Sequence, residues 1–258
     1  DGSKVTGPGQ NTISDLRTIL DEAQKRDIGL IVCLWSFDML RKSYGQEVTS
    51  RAYEMLTDKT KAQSYITNAL VPMVRALGGH PALIAWEIFN EPELMSEKMD
   101  WSETRNVPMS VIQRFINAAA GIIHQYQPDA QVTTGAWSFR SLQDDSLFGF
   151  LQQQRLEPPT PNVIDQIRRR FASGPRPAIS RSSAEFLYRQ REIWGKWSKN
   201  YYRDDRLIEA GGHDLGTLDF YSVHFYEWAG RENSPFQHDV QHWELNKPVV
   251  VAEFFMGG

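Results

Sequence analysis

The chain has 258 residues, 41% of them hydrophobic, which is enough to bury the core of one domain over 1–258. Its formal net charge of −4 argues against a nucleic-acid partner, and no apolar stretch approaches the length that spans a membrane. A single cysteine, Cys33, excludes an internal disulfide and any metal site built from several cysteines.

Helix-like and strand-like segments alternate along the chain. Apolar spacing predicts a helix over 14–26 with Ser14 as its N-cap, a helix over 58–77 interrupted near Pro72, and a helix over 109–126. Runs of β-prone residues predict strands within 28–35, 82–93, 131–137, 218–228 and 247–255. This alternation indicates an α/β fold with a parallel sheet.

Two glutamates stand where strand-like runs end. Glu91 follows the run ALIAWEIFN, and Glu253 follows KPVVVA. Residues Val249, Val251 and Glu253 share one face at period two, so each acid is expected at the C-terminal tip of a strand buried on both sides. One carboxylic acid and one carboxylate that face each other across a cleft are the groups that cleave a glycosidic bond.

A further run, LDFYSVHFYEW at 218–228, carries polar groups at its outer end. Period two places Phe220, Ser222, His224 and Tyr226 on one face, with His224 and Tyr226 outermost. The six histidines of the chain contain no HxH or HExxH pair. A metal-dependent barrel hydrolase, which needs clustered ligands, is therefore the less favoured alternative.

The chain carries three motifs in order: Asn-Glu-Pro at 90–92, His-x-Tyr at 224–226 and the later Glu253. In these motifs it resembles the retaining (β/α)8-barrel glycoside hydrolases of clan A, most closely family 5. The resemblance implies that Glu91 is the acid/base and Glu253 the nucleophile. It also implies that Asn90 bonds the sugar 2-hydroxyl, that Tyr226 bonds the nucleophile, and that His224 lines the same subsite. A retaining double displacement of this kind needs no metal and no organic cofactor.

The resemblance also implies which strands of the barrel the predicted strands are. With Glu91 closing strand four and Glu253 closing strand seven, the predicted strands are three to seven of a (β/α)8 TIM barrel that is incomplete in this chain. Five of eight strands cannot close a barrel without exposed edges. We therefore interpret the sequence as an excerpt of a longer polypeptide, and the family's arginine on strand two and tryptophan after strand seven cannot be assigned.

Eight tryptophans suit a carbohydrate substrate, since sugar rings stack on aromatic side chains. Trp35, Trp137 and Trp228 each follow a strand and are candidate sugar platforms, whereas Trp86 within its strand is expected in the core. Many family 5 cellulases carry a histidine near this position, where this chain has Trp35 and Ser36. In this respect the chain resembles the mannanase-type members. The resemblance thus implies hydrolysis of β-1,4-linked mannan, with β-1,4-glucan as the alternative substrate and a catalytically silent sugar-binding barrel as a further alternative.

A long segment at 142–198 separates the third and fourth predicted strands. It is rich in Arg, Gln and Pro, with nine Lys or Arg and four Asp or Glu over 150–198. We interpret it as an insertion in the barrel, which is either a solvated surface feature or a lid, since loops after barrel strands rim the active site. A polysaccharide partner implies a secreted protein, and we expect a monomer.

Overall fold

A computed structural model describes residues 4–139, 141, 142, 144, 200–226 and 245–255, with isolated positions between 161 and 185. Most of the predicted insertion, and Trp228, lie outside the described residues. The strands are β1 Leu30–Ser36, β2 Leu83–Asn90, β3 Val132–Ala136, β4 Tyr221–Tyr226 and β5 Val249–Phe255. The α-helices are α1 Thr12–Gln24, α2 Gln46–Thr57, α3 Lys59–Tyr65, α4 Val71–Leu77, α5 Met109–Tyr126 and α6 Asp204–Gly211.

The five strands form one parallel sheet in the order β1-β2-β3-β4-β5. Each strand pairs with the strand before it and the strand after it in the chain, which is the strand order of a (β/α)8 barrel. The predicted α/β architecture with an incomplete barrel is thereby confirmed. Strands β2 to β4 are largely buried, but β5 is an edge of the described sheet and Phe254 is 68% exposed. The expectation that the Glu253 strand is buried on both sides is therefore wrong for this part of the chain.

The predicted helix at 109–126 coincides with α5. The first helix begins two residues earlier than expected, with Asn11 rather than Ser14 at the N-cap position. Ser14 lies inside the helix, where its hydroxyl donates to the Asn11 carbonyl at 2.9 Å. Apolar periodicity thus predicted the position of the helix, whereas its first residue was predicted only to within a few positions.

The predicted helix at 58–77 is one continuous helical segment, but its hydrogen-bond pattern changes along its length. Between α3 and α4 the chain makes a π-helical turn over Ile66–Leu70, directly before Pro72 at the start of α4. Proline has no N–H to bond the carbonyl four residues earlier, so the hydrogen-bond ladder changes at this point instead of ending. Helices α2 and α6 were not predicted.

The hydrophobic core lies between the sheet and the helices. Phe89 of β2 contacts Phe115 of α5 with ring centroids 5.3 Å apart, and Phe115 stacks on Tyr65 of α3 at 5.7 Å. Trp86 is fully buried, as expected, and its Nε1 donates to Gln127 at the end of α5. Each such side chain stabilises the fold by about 2 kcal/mol or more through burial, which fixes β2 against its helices. Within the described ranges, no helix is both long and apolar enough to cross a membrane.

Candidate active site

A β-bulge near the end of β5 orients Glu253. Val223 of β4 pairs with Val251, but the next residue, His224, pairs with Glu253, so Ala252 is an extra residue in β5. Val251 packs against the core, whereas Glu253 turns to the side on which His224 lies. The expectation that Val249, Val251 and Glu253 share one face is wrong, because the bulge breaks the period of two.

Glu91 also departs from regular strand geometry. The register between β2 and β3 shifts between Glu87 and Asn90, and Glu91 then adopts the left-handed conformation with φ 50° and ψ 48°. Its backbone N–H donates to the carbonyl of Gly135 in β3 at 2.7 Å. A glutamate in this conformation costs on the order of 1 kcal/mol, and the bond to β3 holds it there.

The two glutamates meet at His224. The Nδ1 atom of His224 lies 2.8 Å from Oε1 of Glu91 and 3.7 Å from Oε2 of Glu253. One oxygen of each carboxyl group and this nitrogen all lie within 4.8 Å of one another. The hydroxyl of Tyr226 donates to Oε2 of Glu253, so the contact expected between these two residues is present.

The two carboxyl groups differ in their surroundings. The side chain of Glu91 is 12% exposed and that of Glu253 is 45% exposed, while His224 between them is buried. Burial acts to lower the pKa of His224, but the hydrogen bond to Glu91 and the charges of Glu253, Glu91 and Glu87 raise it above the usual value. His224 thus keeps its proton to a higher pH than a free imidazole. The bond to Glu253 raises the pKa of Tyr226, so its hydroxyl remains a donor.

Asn90 lies at the end of β2, half-buried and in register with Ser36 of β1 and Gly135 of β3. It thus stands directly before Glu91 on the strand that carries the acid. Its contact with a sugar 2-hydroxyl stays a prediction.

The three candidate sugar platforms have different surroundings. Trp35 is half-buried and packs edge-to-face on Tyr65, with ring centroids 5.1 Å apart. Trp137 is half-buried directly after β3, and its backbone N–H donates to the Glu93 carboxylate at 3.0 Å. Trp228 lies outside the described residues. The ring of Trp35 packs against the hydrophobic core. A role as a sugar platform stays a prediction for all three tryptophans.

Sequence reasoning did not single out Glu93, which is fully buried beside the site. It accepts hydrogen bonds from the Tyr202 hydroxyl and from the backbone of Trp137. Burial raises the pKa of Glu93, and these two bonds oppose the rise. The residue ties the turn after β2 to the segment after β3. Its position in Asn-Glu-Pro-Glu was visible in the sequence, but its partner Tyr202 is far away in the chain.

Glu87 was also missed, although a signal was present. It is an acid between Trp86 and Ile88 in an apolar strand, and a buried carboxyl group needs a partner or a function. Glu87 is 7% exposed, and the hydroxyl of Ser222 lies 3.4 Å from its Oε2.

Among the described residues, the side chains of Glu91, His224 and Glu253 also bring their ligand atoms close enough together to hold a metal ion. Carboxylate oxygen and imidazole nitrogen both suit zinc and related divalent cations. The distances therefore permit two chemistries, one that uses the glutamates directly and one that uses a metal.

The strand order is that of a (β/α)8 barrel, and glutamates that face each other at the carboxyl ends of β2 and β5 are the arrangement found in barrel glycoside hydrolases. No family model matches the chain. It is 30% identical over 269 residues to a mannan endo-1,4-beta-mannosidase of Mytilus edulis, covering 97% of this chain and 58% of that protein. It is 28% identical over 271 residues to a protein of the same name from Cryptopygus antarcticus, covering 96% of this chain and 55% of that protein.

Solved structures show the same similarity. The β-1,4-mannanase of the sea hare Aplysia kurodai matches with a TM-score of 0.69 and 28% identity, covering 99% of this chain and 63% of that one. The β-mannanase of the blue mussel Mytilus edulis matches with a TM-score of 0.70 and 28% identity, covering 98% and 62%. The chain thus spans between about half and two thirds of the length of these relatives. These matches confirm the resemblance found in the sequence: the chain is similar to β-1,4-mannanases over nearly its whole length.

Proposed function

We propose that this protein is a retaining glycoside hydrolase that cleaves β-1,4-linked mannan. The observation that carries the proposal is the pair Glu91 and Glu253, which approach the same nitrogen of His224 at 2.8 and 3.7 Å from two different strands. Retaining enzymes hold their two carboxyl groups about 5–5.5 Å apart, whereas inverting enzymes leave room for a water at roughly 6.5–9.5 Å. The approach of the two carboxyl oxygens to within 4.8 Å favours retention.

The environments of the two glutamates support the following roles. Glu253 is the more exposed acid and accepts the Tyr226 hydroxyl, a bond that orients it as the nucleophile. Its carboxylate attacks the anomeric carbon and forms a glycosyl-enzyme, while the buried Glu91 gives a proton to the leaving oxygen. Glu91 then takes a proton from the water that releases the sugar.

Mannan is the substrate supported by the relatives, since both proteins named above are mannan endo-1,4-beta-mannosidases. We propose that Asn90, at the end of β2, bonds the substrate beside Glu91, and Trp35, Trp137 and Trp228 remain candidates for sugar contacts. We further propose one domain over 1–258 with an insertion at 142–198, a secreted location that suits a polysaccharide substrate, and a monomeric state.

The test is hydrolysis of a panel of polysaccharides by the purified protein. We expect manno-oligosaccharides from β-1,4-mannan, with the β-anomer appearing first when the products are followed by proton NMR. The double variant Glu91→Gln/Glu253→Gln serves as the matched control, because it keeps the shape of both side chains. Cleavage of β-1,4-glucan alone would assign the cellulase alternative. Binding of mannan without turnover would assign the silent sugar-binding barrel.

A metal-dependent hydrolase is the second candidate, favoured by the ligand distances among Glu91, His224 and Glu253. Dialysis against a chelator separates the two candidates. The glutamate mechanism predicts unchanged turnover of mannan after dialysis. Activity that is lost on dialysis and restored by Zn²⁺ would assign the metal-dependent chemistry instead.

A further inference from the structure

The turn that follows Glu91 interrupts the pairing between β2 and β3. The last backbone bond between these strands runs from the Glu91 N–H to the Gly135 carbonyl at 2.7 Å. In a parallel ladder the next bond would run from the Trp137 N–H to the Glu91 carbonyl. That carbonyl instead accepts the N–H of Leu94 at 3.1 Å, because the chain turns back in a short 3-10 helix over Pro92–Met95.

The side chain of Glu93 takes the place of the missing ladder acceptor. Its Oε2 accepts the Trp137 N–H at 3.0 Å, so the segment after β3 stays joined to the turn that follows Glu91. Glu93 is fully buried, and its backbone carbonyl accepts the Ser96 hydroxyl at 2.6 Å. A buried carboxyl oxygen thus continues the contact between the two strands beyond their last backbone bond.

Tyr202 holds the other oxygen of the same carboxyl group. Its hydroxyl donates to Oε1 of Glu93, and the tyrosine is fully buried just before α6. The backbone N–H of Tyr202 donates in turn to the side chain of Asn200 at 2.8 Å. Both oxygens of Glu93 are therefore bonded by groups from other segments of the chain, which fixes the orientation of the carboxyl group.

We propose that Glu93 is a positioning residue that holds Glu91 in its catalytic orientation. Glu91 has the left-handed conformation, with φ 50°, and a glutamate keeps this conformation only where its surroundings hold it. The bond to Gly135 holds Glu91 from one side, and Glu93 ties the following turn to the segment after β3. Without Glu93 the turn relaxes and carries the Glu91 carboxyl group away from the leaving oxygen. The effect on turnover rests on the function proposed above, whereas the effect on the backbone at Glu91 does not.

The proposal predicts a loss of activity that depends on the leaving group. A displaced Glu91 delivers its proton less effectively, and only a leaving sugar needs that proton. A dinitrophenyl group departs as an anion and should be largely unaffected. A smaller fraction of folded protein, in contrast, would lower both rates by the same factor. The ratio of kcat/KM for a manno-oligosaccharide to kcat/KM for a dinitrophenyl β-mannoside therefore separates positioning from stability.

The substitution Glu93→Ala removes both bonds and tests the proposal. We expect kcat/KM for the manno-oligosaccharide to fall about 10- to 100-fold, with little change for the dinitrophenyl β-mannoside. The backbone N–H of Glu91 should exchange with solvent about tenfold faster or more, as followed by NMR. Glu93→Gln should recover most of the activity, because its side-chain carbonyl can accept the Trp137 N–H while its amide group donates to Tyr202.

Asp219→Asn is the matched control. Asp219 also accepts a backbone N–H of β3, that of Val132 at 2.7 Å, but at the opposite end of the strand from Glu91. It should leave both the kcat/KM ratio and the exchange of the Glu91 N–H unchanged. If Glu93→Ala does not fold, Glu93→Asp replaces it and should give the same two changes, because the shorter side chain keeps the charge but cannot reach both partners.

Three results would overturn the proposal. They are equal losses on the two substrates in Glu93→Ala, unchanged exchange of the Glu91 N–H in that variant, and a kcat/KM ratio that changes as much in Asp219→Asn. A Glu93→Gln variant as impaired as Glu93→Ala would overturn the role given to the hydrogen bonds. If the unsubstituted protein cleaves neither substrate, the proposed function fails, and faster exchange of the Glu91 N–H in Glu93→Ala would still show that Glu93 holds this turn.

Discussion

Chemically identical side chains acquire different properties at this site through their neighbours. Glu91 is buried against His224, Glu253 is partly open and bonded by Tyr226, and Glu93 is enclosed by Tyr202 and Trp137. An acid that must carry a proton benefits from burial, and an acid that must attack benefits from access and a hydrogen-bond donor. The assignment of roles can be tested one residue at a time.

Glu253→Ala should abolish hydrolysis of mannan, because the variant cannot form the glycosyl-enzyme. Azide should partly restore cleavage of an activated aryl glycoside, since a small anion fits the space left by the carboxylate, and the product should be the α-glycosyl azide. The anomeric configuration is measured by NMR. Rescue with a β-linked product would contradict the nucleophile role.

Glu91→Ala should have effects that depend on the leaving group. We expect mannan hydrolysis to fall about 10²- to 10⁴-fold, because the leaving sugar oxygen needs a proton. Formation of the glycosyl-enzyme from a dinitrophenyl glycoside should be largely spared, since that leaving group departs as an anion. The measurement is the pre-steady-state burst on both substrate types. Equal losses on both would rule out the acid/base role.

Tyr202→Phe should destabilise the fold by about 1–3 kcal/mol, because it removes a hydrogen bond from the fully buried Glu93 carboxyl group. Urea denaturation measures the free energy of unfolding. Tyr44→Phe is the control, since Tyr44 is 53% exposed. A larger loss in the control than in Tyr202→Phe would show that Glu93 does not depend on Tyr202.

At the scale of elements, irregularities in the strands bring the site together. The extra residue in β5 turns Glu253 towards His224, and the register shift in β2 precedes the left-handed Glu91. Bulges of this kind are common beside active sites, where they redirect a side chain without ending the strand pairing. The helices pack against the opposite side of β2, which keeps these strand ends in place.

Helix α5 is joined to the sheet by an ion pair at its C-terminal end. The Nε2 of His124 lies 3.0 Å from Asp219, its Nδ1 lies 2.7 Å from the Leu215 carbonyl, and Asp219 also accepts the backbone N–H of Val132 at 2.7 Å. The bond to Asp219 raises the pKa of His124 above its usual value. Burial acts to raise the pKa of Asp219, but the bonds from His124 and Val132 lower it overall.

These shifts predict how stability depends on pH. The stabilisation from His124 is complete below its unfolded pKa and is lost as the pH rises through the higher folded value; that from Asp219 is lost in acid. The fold should therefore gain most from this pair at weakly acidic pH. His124→Gln should reduce the drop in melting temperature between pH 6 and pH 8, measured by circular dichroism. His213→Gln, which changes an imidazole whose Nδ1 accepts a backbone N–H, should keep that drop.

At the scale of the whole molecule, the segment 142–198 that follows β3 stays a predicted insertion. Its described boundary residues are packed: Leu142 is buried and its carbonyl accepts the Tyr201 N–H at 2.8 Å, while Asp144 pairs with Arg206 at 2.9 Å. Ile164, an isolated described position, is buried as well. Trp194 and Trp197 of the same segment lie outside the described residues.

Deletion of 146–198 with a short linker should preserve the boundary contacts and test the lid proposal. We expect a changed preference for mannan chain length, and we expect hydrolysis of a small aryl glycoside to be retained, because the proposed catalytic residues lie on other segments. Product profiles by chromatography and aryl glycoside kinetics provide the measurement. Unchanged profiles with unchanged kinetics would leave the segment as a tolerated surface insertion.

The residues that meet at the site could be predicted from the sequence because they stand in local patterns. Asn-Glu-Pro at the end of one apolar run, His224 and Tyr226 in a second and Glu253 in a third identified the family by type and order. Strand and helix positions followed from hydrophobic periodicity, and α5 matched its predicted range. Such features depend on residues that are close together in the chain.

Only the tertiary structure decided how these residues face one another. The bulge at Ala252 reversed the side on which Glu253 was expected, since register is set by pairing between strands and not by the period within one. The enclosure of Glu93 by Tyr202, and the approach of Glu91 and Glu253 to one nitrogen of His224, join residues that are far apart in the chain. No local pattern encodes such contacts, because they arise from packing between elements.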